Sequence, residues 1–280
     1  MKIKDLFLTQ EEFEVKEISE GILKTFPVPE NLSKYYESKD YISHHQEDKS
    51  LKTKIYKFFQ QFNLKYKKSI LDTEVKTGNK ILDYGCGAGE FLNFIKTSYE
   101  IYGIEPNESA RNAAKQKTGE ANIKNSLSEI EDYSLDAMTL WHVFEHIDNY
   151  EGFLEEVYKK IKPKGKLIIA VPNYKSHDAE YYKEYWAAYD VPRHIFHFSK
   201  EGIKSIFNNG RWSLKKISPL LLDSYYISII SEKYKKNSFS WLKGGIRGAI
   251  SNNKASKTGD FSSLIYIIEK NIENRNKAYF

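Results

Sequence analysis

Two groups of histidines carry the side chains best suited to proton transfer. His142 and His146 flank Glu145 directly after an apolar run, and His194 and His197 follow a later apolar run. An imidazole has an unperturbed pKa of about 6.5, so at neutral pH it can take up a proton and release it again. We therefore expect His142 or His146 to act as a general base and Glu145 to orient it.

The same side chains could bind a divalent metal ion, because imidazole and carboxylate groups are common metal ligands. Three or four of the histidines together with Glu145 would suffice. A histidine at the edge of a sheet more often bonds to backbone or solvent, so we do not favour a metal and assign no metal ligand.

A glycine-rich loop offers a second candidate site. Gly85, Gly87 and Gly89 follow Asp83, with Cys86 among them, between a predicted strand and a predicted helix. Glycines let the backbone approach a ligand closely, and the amides of the following helix favour an anionic group. The loop therefore predicts a binding site for a small ligand.

The spacing of the loop argues against two common nucleotide motifs. A dinucleotide fingerprint needs glycine at position 90, which Glu90 occupies. A phosphate-binding P-loop needs Gly-Lys-Ser/Thr, and this chain has Gly89, Glu90 and Phe91. A ligand that contains a ribose is nevertheless expected, because an acidic residue about 20 positions further along the chain can accept hydrogen bonds from both ribose hydroxyls. Glu105 lies 22 residues after Asp83.

The elements that would position these residues alternate between short apolar runs and amphipathic segments. This alternation predicts strands at 80–84, 100–105, 122–124, 135–141, 166–172, 212–219 and 262–270, with helices between most of them. We expect an α/β fold with a Rossmann-like, seven-stranded, mostly parallel sheet and helices on both faces. The histidines and the glycine loop then meet at the carboxyl edge of the sheet.

Taken together, these motifs resemble the class I S-adenosylmethionine-dependent methyltransferases. The resemblance rests on DYGCGAGEF (83–91), GIEPN (103–107), LDAMTLWHVFEHI (135–147) and PKGKLIIAVPN (163–173), and it covers roughly residues 75–215. It implies S-adenosylmethionine as cofactor and S-adenosylhomocysteine as product. The cofactor-binding residues that it implies are Tyr36, Asp83, Gly85, Cys86, Gly87, Gly89, Glu105, Pro106, Ser126, Leu127, Trp141 and His142.

Three departures from family patterns concern individual residues. Ser126 stands where the family usually has an acid that bonds the adenine amino group. The run from His142 to His146 is similar to the E-x-x-E-H of ubiquinone-pathway O-methyltransferases and of metal-dependent small-RNA 3′-end methyltransferases, with histidine in place of the first glutamate. The amino-terminal region is similar to a subgroup with a Cys-x-x-Cys zinc element, but Glu17 and Glu20 occupy the cysteine positions, so we predict a vestige without zinc.

The segments outside the alternation are expected to cover the site. We predict that residues 1–79 are helical or irregular. Residues 1–75 would form an amino-terminal domain whose tyrosines and histidine form a lid: Tyr35, Tyr36, Tyr41 and His45. The methyltransferase domain would then span residues 76–280. Within it, residues 221–260 form an insertion, with a helix at 223–236 and a basic, flexible loop at 243–259, that could cap the acceptor.

Composition excludes several classes of function. The net charge of the 280 residues is +5 and both signs are dispersed, so a nucleic-acid partner is not expected. A single cysteine, no signal-like start and no apolar run of membrane-spanning length predict a cytoplasmic protein with no membrane partner, as a monomer or homodimer. We expect O-methylation of a small molecule such as a sugar, a quinone-like compound or another metabolite. The alternatives are C- or N-methylation, or a cofactor-binding module without catalysis.

Overall fold

A computed structural model describes residues 1–36 and 51–272, without the side chains of 51–58. Tyr41 and His45 of the predicted lid lie outside the described residues. The strands are β1 (Lys2–Lys4), β2 (Glu12–Ser19), β3 (Ile22–Phe26), β4 (Lys80–Tyr84), β5 (Glu100–Ile104), β6 (Ile123–Lys124), β7 (Leu135–Trp141), β8 (Ile161–Pro172), β9 (Phe196–Phe198), β10 (Trp212–Pro219) and β11 (Ser263–Lys270). The α-helices are α1 (Leu51–Glu74), α2 (Glu90–Ile95), α3 (Glu108–Thr118), α4 (Tyr150–Lys160), α5 (His177–Tyr182), α6 (Lys200–Phe207), α7 (Asp223–Tyr234) and α8 (Ser240–Thr258).

The larger sheet has seven strands in the order β10-β11-β8-β7-β4-β5-β6. The five strands from β8 to β6 are parallel, whereas β11 runs antiparallel to both of its neighbours. The strand order reverses between β4 and β7, and ligands of open α/β sheets bind at the carboxyl ends of strands at such a point. The predicted seven-stranded, mostly parallel sheet is confirmed.

A second sheet contradicts the prediction that residues 1–79 are helical or irregular. Its four antiparallel strands have the order β1-β2-β3-β9. In β2 the buried Phe13 and Val15 alternate with the exposed Glu12, Glu14 and Lys16. This period of two is a strand signal, and burial of one face stabilises the strand despite its many charged residues.

The amino-terminal residues share their cores with the larger sheet. Ile22 of β3 belongs to the same buried cluster as Leu82 and Leu140 of the central strands. On the other face of the sheet, Leu71 and Val75 at the end of α1 pack in a cluster with further strand residues. Residues 1–36 and the last turns of α1 are therefore held against the α/β domain by apolar burial.

The insertion is a pair of packed helices. The helix predicted at 223–236 is confirmed as α7, but the predicted flexible loop at 243–259 lies almost entirely in α8. Its small residues, spaced at helical intervals, are buried: Gly244, Gly248, Ser251 and Ala255. Gly244 and Gly248 lie against α7, and Ser251 donates a hydrogen bond to Asp178 of α5. Close contact with α7 offsets the low helix propensity of glycine, and composition alone does not show such contact. Among the described helices, none has both the length and the apolarity to cross a membrane.

Two glycines of α8 give a test of this packing. A Cβ added at Gly248 would lie 2.7 Å from the Tyr225 Cα, whereas one at Gly245 meets no atom within 4 Å. We expect Gly248→Ala to destabilise the fold by roughly 1–3 kcal/mol through overpacking, and Gly245→Ala to stabilise it by about 0.5–1 kcal/mol through helix propensity. Urea unfolding followed by circular dichroism measures both, and equal effects of the two substitutions would contradict the packing.

Candidate functional site

The loop after β4 closes against the neighbouring strand. The amides of Gly85 and Cys86 donate to the Ile104 carbonyl at 2.8 and 3.0 Å. Gly85 has φ of +73°, and a Cβ there would lie 2.5 Å from the Val143 side chain, so only glycine fits. The Cys86 side chain is buried in the core, which leaves its backbone as the part that can face a ligand. α2 begins directly after Gly89.

Glu105 joins the end of β5 to this loop. Its carboxylate accepts hydrogen bonds from the amides of Gly87 at 2.9 Å and of Asn107 at 2.8 Å. Each oxygen keeps further lone pairs for a ligand hydroxyl. Pro106 follows on the surface, and its carbonyl accepts from Arg111. Asn107 caps α3, since its side chain accepts a hydrogen bond from the Ala110 amide.

Asp83 is a buried carboxyl group near the carboxyl end of β4. It accepts a hydrogen bond of 2.6 Å from the Thr139 hydroxyl of β7. Burial raises the pKa of Asp83 to about 7, although the Thr139 hydrogen bond and the charge of Lys67 act in the opposite direction. The Lys67 ammonium of α1 lies 4.7 Å from the centre of the Trp141 ring, and burial lowers the pKa of Lys67. The surroundings of Asp83 therefore favour a cationic group next to its carboxylate.

The other predicted cofactor residues differ in their exposure and in their contacts. Ser126 is exposed and its hydroxyl is 2.6 Å from that of Ser128, whereas Leu127 is buried in the core. Trp141 packs edge-on against Phe91. The Tyr36 hydroxyl lies 3.1 Å from Nδ1 of His146, so the described part of the predicted lid reaches the histidine cluster.

His142 lies between two carboxylates at the end of β7. Its Nε2 is 2.9 Å from Asp223 at the start of α7, and its Nδ1 is 3.4 Å from Glu145. Burial alone would lower the pKa of His142, but the two carboxylates outweigh burial and raise it to about 10. At neutral pH His142 is therefore an imidazolium with both nitrogens engaged, which does not suit a general base.

His146 has the opposite arrangement. Its Nδ1 lies 2.8 Å from the Arg193 carbonyl, which only accepts, so in the neutral ring Nδ1 carries the proton and Nε2 has the lone pair. His194 is held in the same tautomer, because its Nδ1 lies 2.9 Å from the Ala188 carbonyl. Burial, followed by the charge of His146, lowers the pKa of His194 to about 4, so His194 is neutral at physiological pH.

Glu145 lies between these rings and is 1% exposed. Burial would raise its pKa, but the neighbouring histidines, with the cationic His142 first among them, outweigh burial and lower it. The contact of 3.4 Å with His142 is an ion pair, and within residues 1–36 and 51–272 neither carboxylate oxygen accepts a hydrogen bond. Glu145, His146 and His194 each offer a ligand atom within 4.8 Å of the others, so these three residues could hold a metal ion.

His197 does not join this group. Its Nε2 lies 3.0 Å from the hydroxyl of Thr25, and Thr25 in turn donates to the His194 carbonyl. Burial lowers the pKa of His197 to about 3. His197 therefore links β9 to β3 and has a structural role.

The sequence did not single out three residues of the site. Asp223 and Lys67 come from the two segments outside the strand–helix alternation, and Thr139 is a polar residue inside an otherwise apolar strand. Only Thr139 left a signal, because a buried hydroxyl in a central strand needs a polar partner. The contacts of Asp223 and Lys67 depend on how their helices pack.

Comparison with known proteins identifies the family. A family model described as "Methyltransferase domain" matches residues 44–210, more than half of the chain. The chain belongs to this family. It is a class I S-adenosylmethionine-dependent methyltransferase, as the motifs predicted.

Its relatives are distant. An uncharacterized protein of Methanocaldococcus jannaschii is 32% identical over 173 residues, covering 60% of this chain and 74% of that protein. A ubiquinone biosynthesis O-methyltransferase of Rickettsia bellii is 33% identical over 101 residues, covering 34% of this chain and 42% of the enzyme, which is less than half of its length. The geranyl diphosphate C-methyltransferase of Streptomyces coelicolor A3(2), solved with S-adenosyl-L-homocysteine, shares the fold with a TM-score of 0.51 at 11% identity, over 76% of this methyltransferase and 79% of that chain.

The raised pKa of Asp83 gives a prediction for the cofactor-free protein. The unfolded carboxyl group has an ordinary pKa near 4 and the folded one a pKa of about 7, so the folded state loses stability as the pH rises between these values. We expect Asp83→Asn to be more stable than the wild type above pH 7, by up to roughly 4 kcal/mol, with the difference vanishing below about pH 4. Urea unfolding at several pH values measures this. The control is Asp132→Asn, a surface partner of Lys160, which should show no such gain at high pH.

The pair of His142 and Asp223 gives a second prediction. The folded pKa of His142 is raised to about 10, so the stabilisation by the pair is complete below about pH 6.5 and is lost as the pH rises through 10. We expect its ring resonance in an NMR titration to change near pH 10, and Asp223→Asn to lower that midpoint by about 1–3 units. The titration midpoint of His177 serves as control, and Asp223→Asn should leave it unchanged. A wild-type His142 midpoint near 6.5 would contradict the ion pair.

Proposed function

We propose that this methyltransferase binds S-adenosylmethionine across the carboxyl ends of β4, β5 and β7. One observation carries the proposal: two carboxyl groups, Asp83 and Glu105, end neighbouring parallel strands on either side of a loop that only glycine can form. Asp83 suits the cationic ammonium of the methionine end. Glu105 has lone pairs for the ribose hydroxyls.

The remaining cofactor contacts follow from this placement. The methionine end would lie along the loop formed by Gly85, the Cys86 backbone, Gly87 and Gly89. Pro106 would lie next to the ribose. Ser126 and Leu127 lie at the end of β6, where the adenine would rest. Trp141, His142 and Tyr36 would close the side nearest the methyl group. Lys67 would then move away from Asp83, because the ligand ammonium competes for the same charge.

We further propose that the acceptor atom is an oxygen of a small molecule and that His146 removes its proton. When bound, S-adenosylmethionine would supply an activated methyl group to this oxygen, and Nε2 of His146 would take up the proton of the oxygen. Glu145 balances the charge of the resulting imidazolium. His142 acts as a fixed cation, because both of its nitrogens face carboxylates.

Two further points support a small acceptor and transfer to oxygen. The insertion of residues 221–260 reaches the site through Asp223, so α7 lies beside the space where an acceptor would bind. The sequence similarity to a ubiquinone biosynthesis O-methyltransferase also favours an oxygen acceptor.

Calorimetry with S-adenosylmethionine tests the cofactor site. We expect Glu105→Gln to weaken binding by about 10–100-fold, because a charged hydrogen-bond acceptor is lost. The matched control is Glu108→Gln, an exposed acid three residues on, which should leave binding unchanged. Wild-type protein that shows no heat with the cofactor, or equal affinities of the two variants, would overturn the proposed site.

A screen of hydroxylated small molecules with the same proteins tests the chemistry. His146→Gln should lower kcat by about 10²–10⁴-fold while cofactor affinity stays within a factor of two, whereas His177→Gln should be neutral. Cofactor binding without turnover would indicate a silent module, and a methylated carbon or nitrogen would replace the oxygen assignment. Loss of turnover in EDTA with recovery on adding a divalent ion would replace His146 as base by a metal held at Glu145, His146 and His194.

A further inference from the structure

The two faces of α8 differ in the size and the burial of their side chains. Its inner face of small residues packs on α7, and its amino-terminal half carries large apolar side chains directed to solvent. Their exposed fractions are 47% for Leu242, 53% for Ile246, 66% for Trp241 and 69% for Phe239, which directly precedes the helix. Contiguous exposed apolar side chains on a protein surface mark an interaction site more often than chance.

The charges around these side chains have one sign. α8 contains Lys243, Arg247, Lys254 and Lys257 and no acidic residue, and the segment between the two helices adds Lys235 and Lys236. The only acids of residues 221–258 are Asp223, which pairs with His142, and Glu232, which is buried and bonded to Tyr182 and Asn237. The outer surface of the insertion is therefore apolar and cationic.

We propose that the surface formed by Phe239, Trp241, Leu242, Ile246 and the adjacent lysines and arginine docks on an anionic lipid bilayer. A helix with exposed aromatic and aliphatic side chains beside lysine and arginine lies in the interface of such a bilayer, with the apolar groups among the acyl chains and the cations at the headgroups. A second copy of this chain fits less well, because a symmetric contact would bring two cationic surfaces together.

This docking differs from spanning a membrane. The sequence predicted no membrane partner because no apolar run is long enough to cross a bilayer, and an interfacial helix needs no such run. The docking surface and the candidate site are joined by one pair of helices, since α7 begins with Asp223 beside His142 and packs along α8. The inference does not depend on the acceptor or on catalysis.

Sedimentation of the full chain with vesicles tests the proposal. We expect binding to vesicles that contain phosphatidylglycerol, weak or no binding to phosphatidylcholine alone, and weaker binding at high salt. The double substitution Trp241→Ser with Ile246→Ser, and separately Lys243→Glu with Arg247→Glu, should each lower the affinity by more than about 10-fold.

The control is Ile18→Ser with Phe62→Ser, which removes two side chains of similar exposure, 47% and 48%, outside the insertion. Circular dichroism and cofactor calorimetry are used to check that every variant is folded. The proposal is overturned if the wild type ignores anionic vesicles, or if both insertion variants bind as the control does. It is also overturned if light scattering finds a dimer that Trp241→Ser with Ile246→Ser dissociates, because the surface would then serve a second copy.

Discussion

The guanidinium of Arg193 is the contact on which the geometry of the histidine cluster depends. It is buried, and it donates to Asp190 in its own loop, to Asp5 directly after β1 and to the Tyr35 carbonyl. The same residue accepts the Nδ1 proton of His146 through its main-chain carbonyl. Because a buried charge is tolerated only with its partners in place, these contacts form together or not at all. The tautomer of His146 thus depends on Asp5, which lies 188 positions before Arg193 in the chain.

Positive and negative charges alternate at the candidate site. The charges of Lys67 and Asp83 interact, and His142 lies between Asp223 and Glu145. This alternation gives two histidines of similar sequence context different properties. His142 has both nitrogens engaged and stays charged, whereas His146 meets a neutral carbonyl and keeps a lone pair. Sequence position alone does not separate the two, because the difference arises from the groups opposite each ring.

The sequence predicted the parts of the fold that local patterns determine. Most strands of the main sheet contain short apolar runs bounded by turns, and Asp83, the glycines and Glu105 occupy fixed positions relative to two of them. It failed where packing between distant segments decides the outcome. Gly244 and Gly248 favoured the prediction of a loop, yet they permit the close approach of α8 to α7. The charged strand β2 read as irregular, although its alternation was present. Asp223 was missed because its role depends entirely on where α7 docks.

The position of β9 has a consequence for dissecting the protein. This strand comes from the loop that carries Arg193 and His194, yet one of its edges pairs with β3. A fragment beginning at Val75 would leave that edge, with the buried rings of Phe196 and Phe198, bare to water. Uncovered backbone donors and acceptors beside aromatic groups recruit strands from other molecules. Such a fragment would therefore tend to aggregate, and its insolubility would say nothing about whether the glycine loop can still bind a ligand.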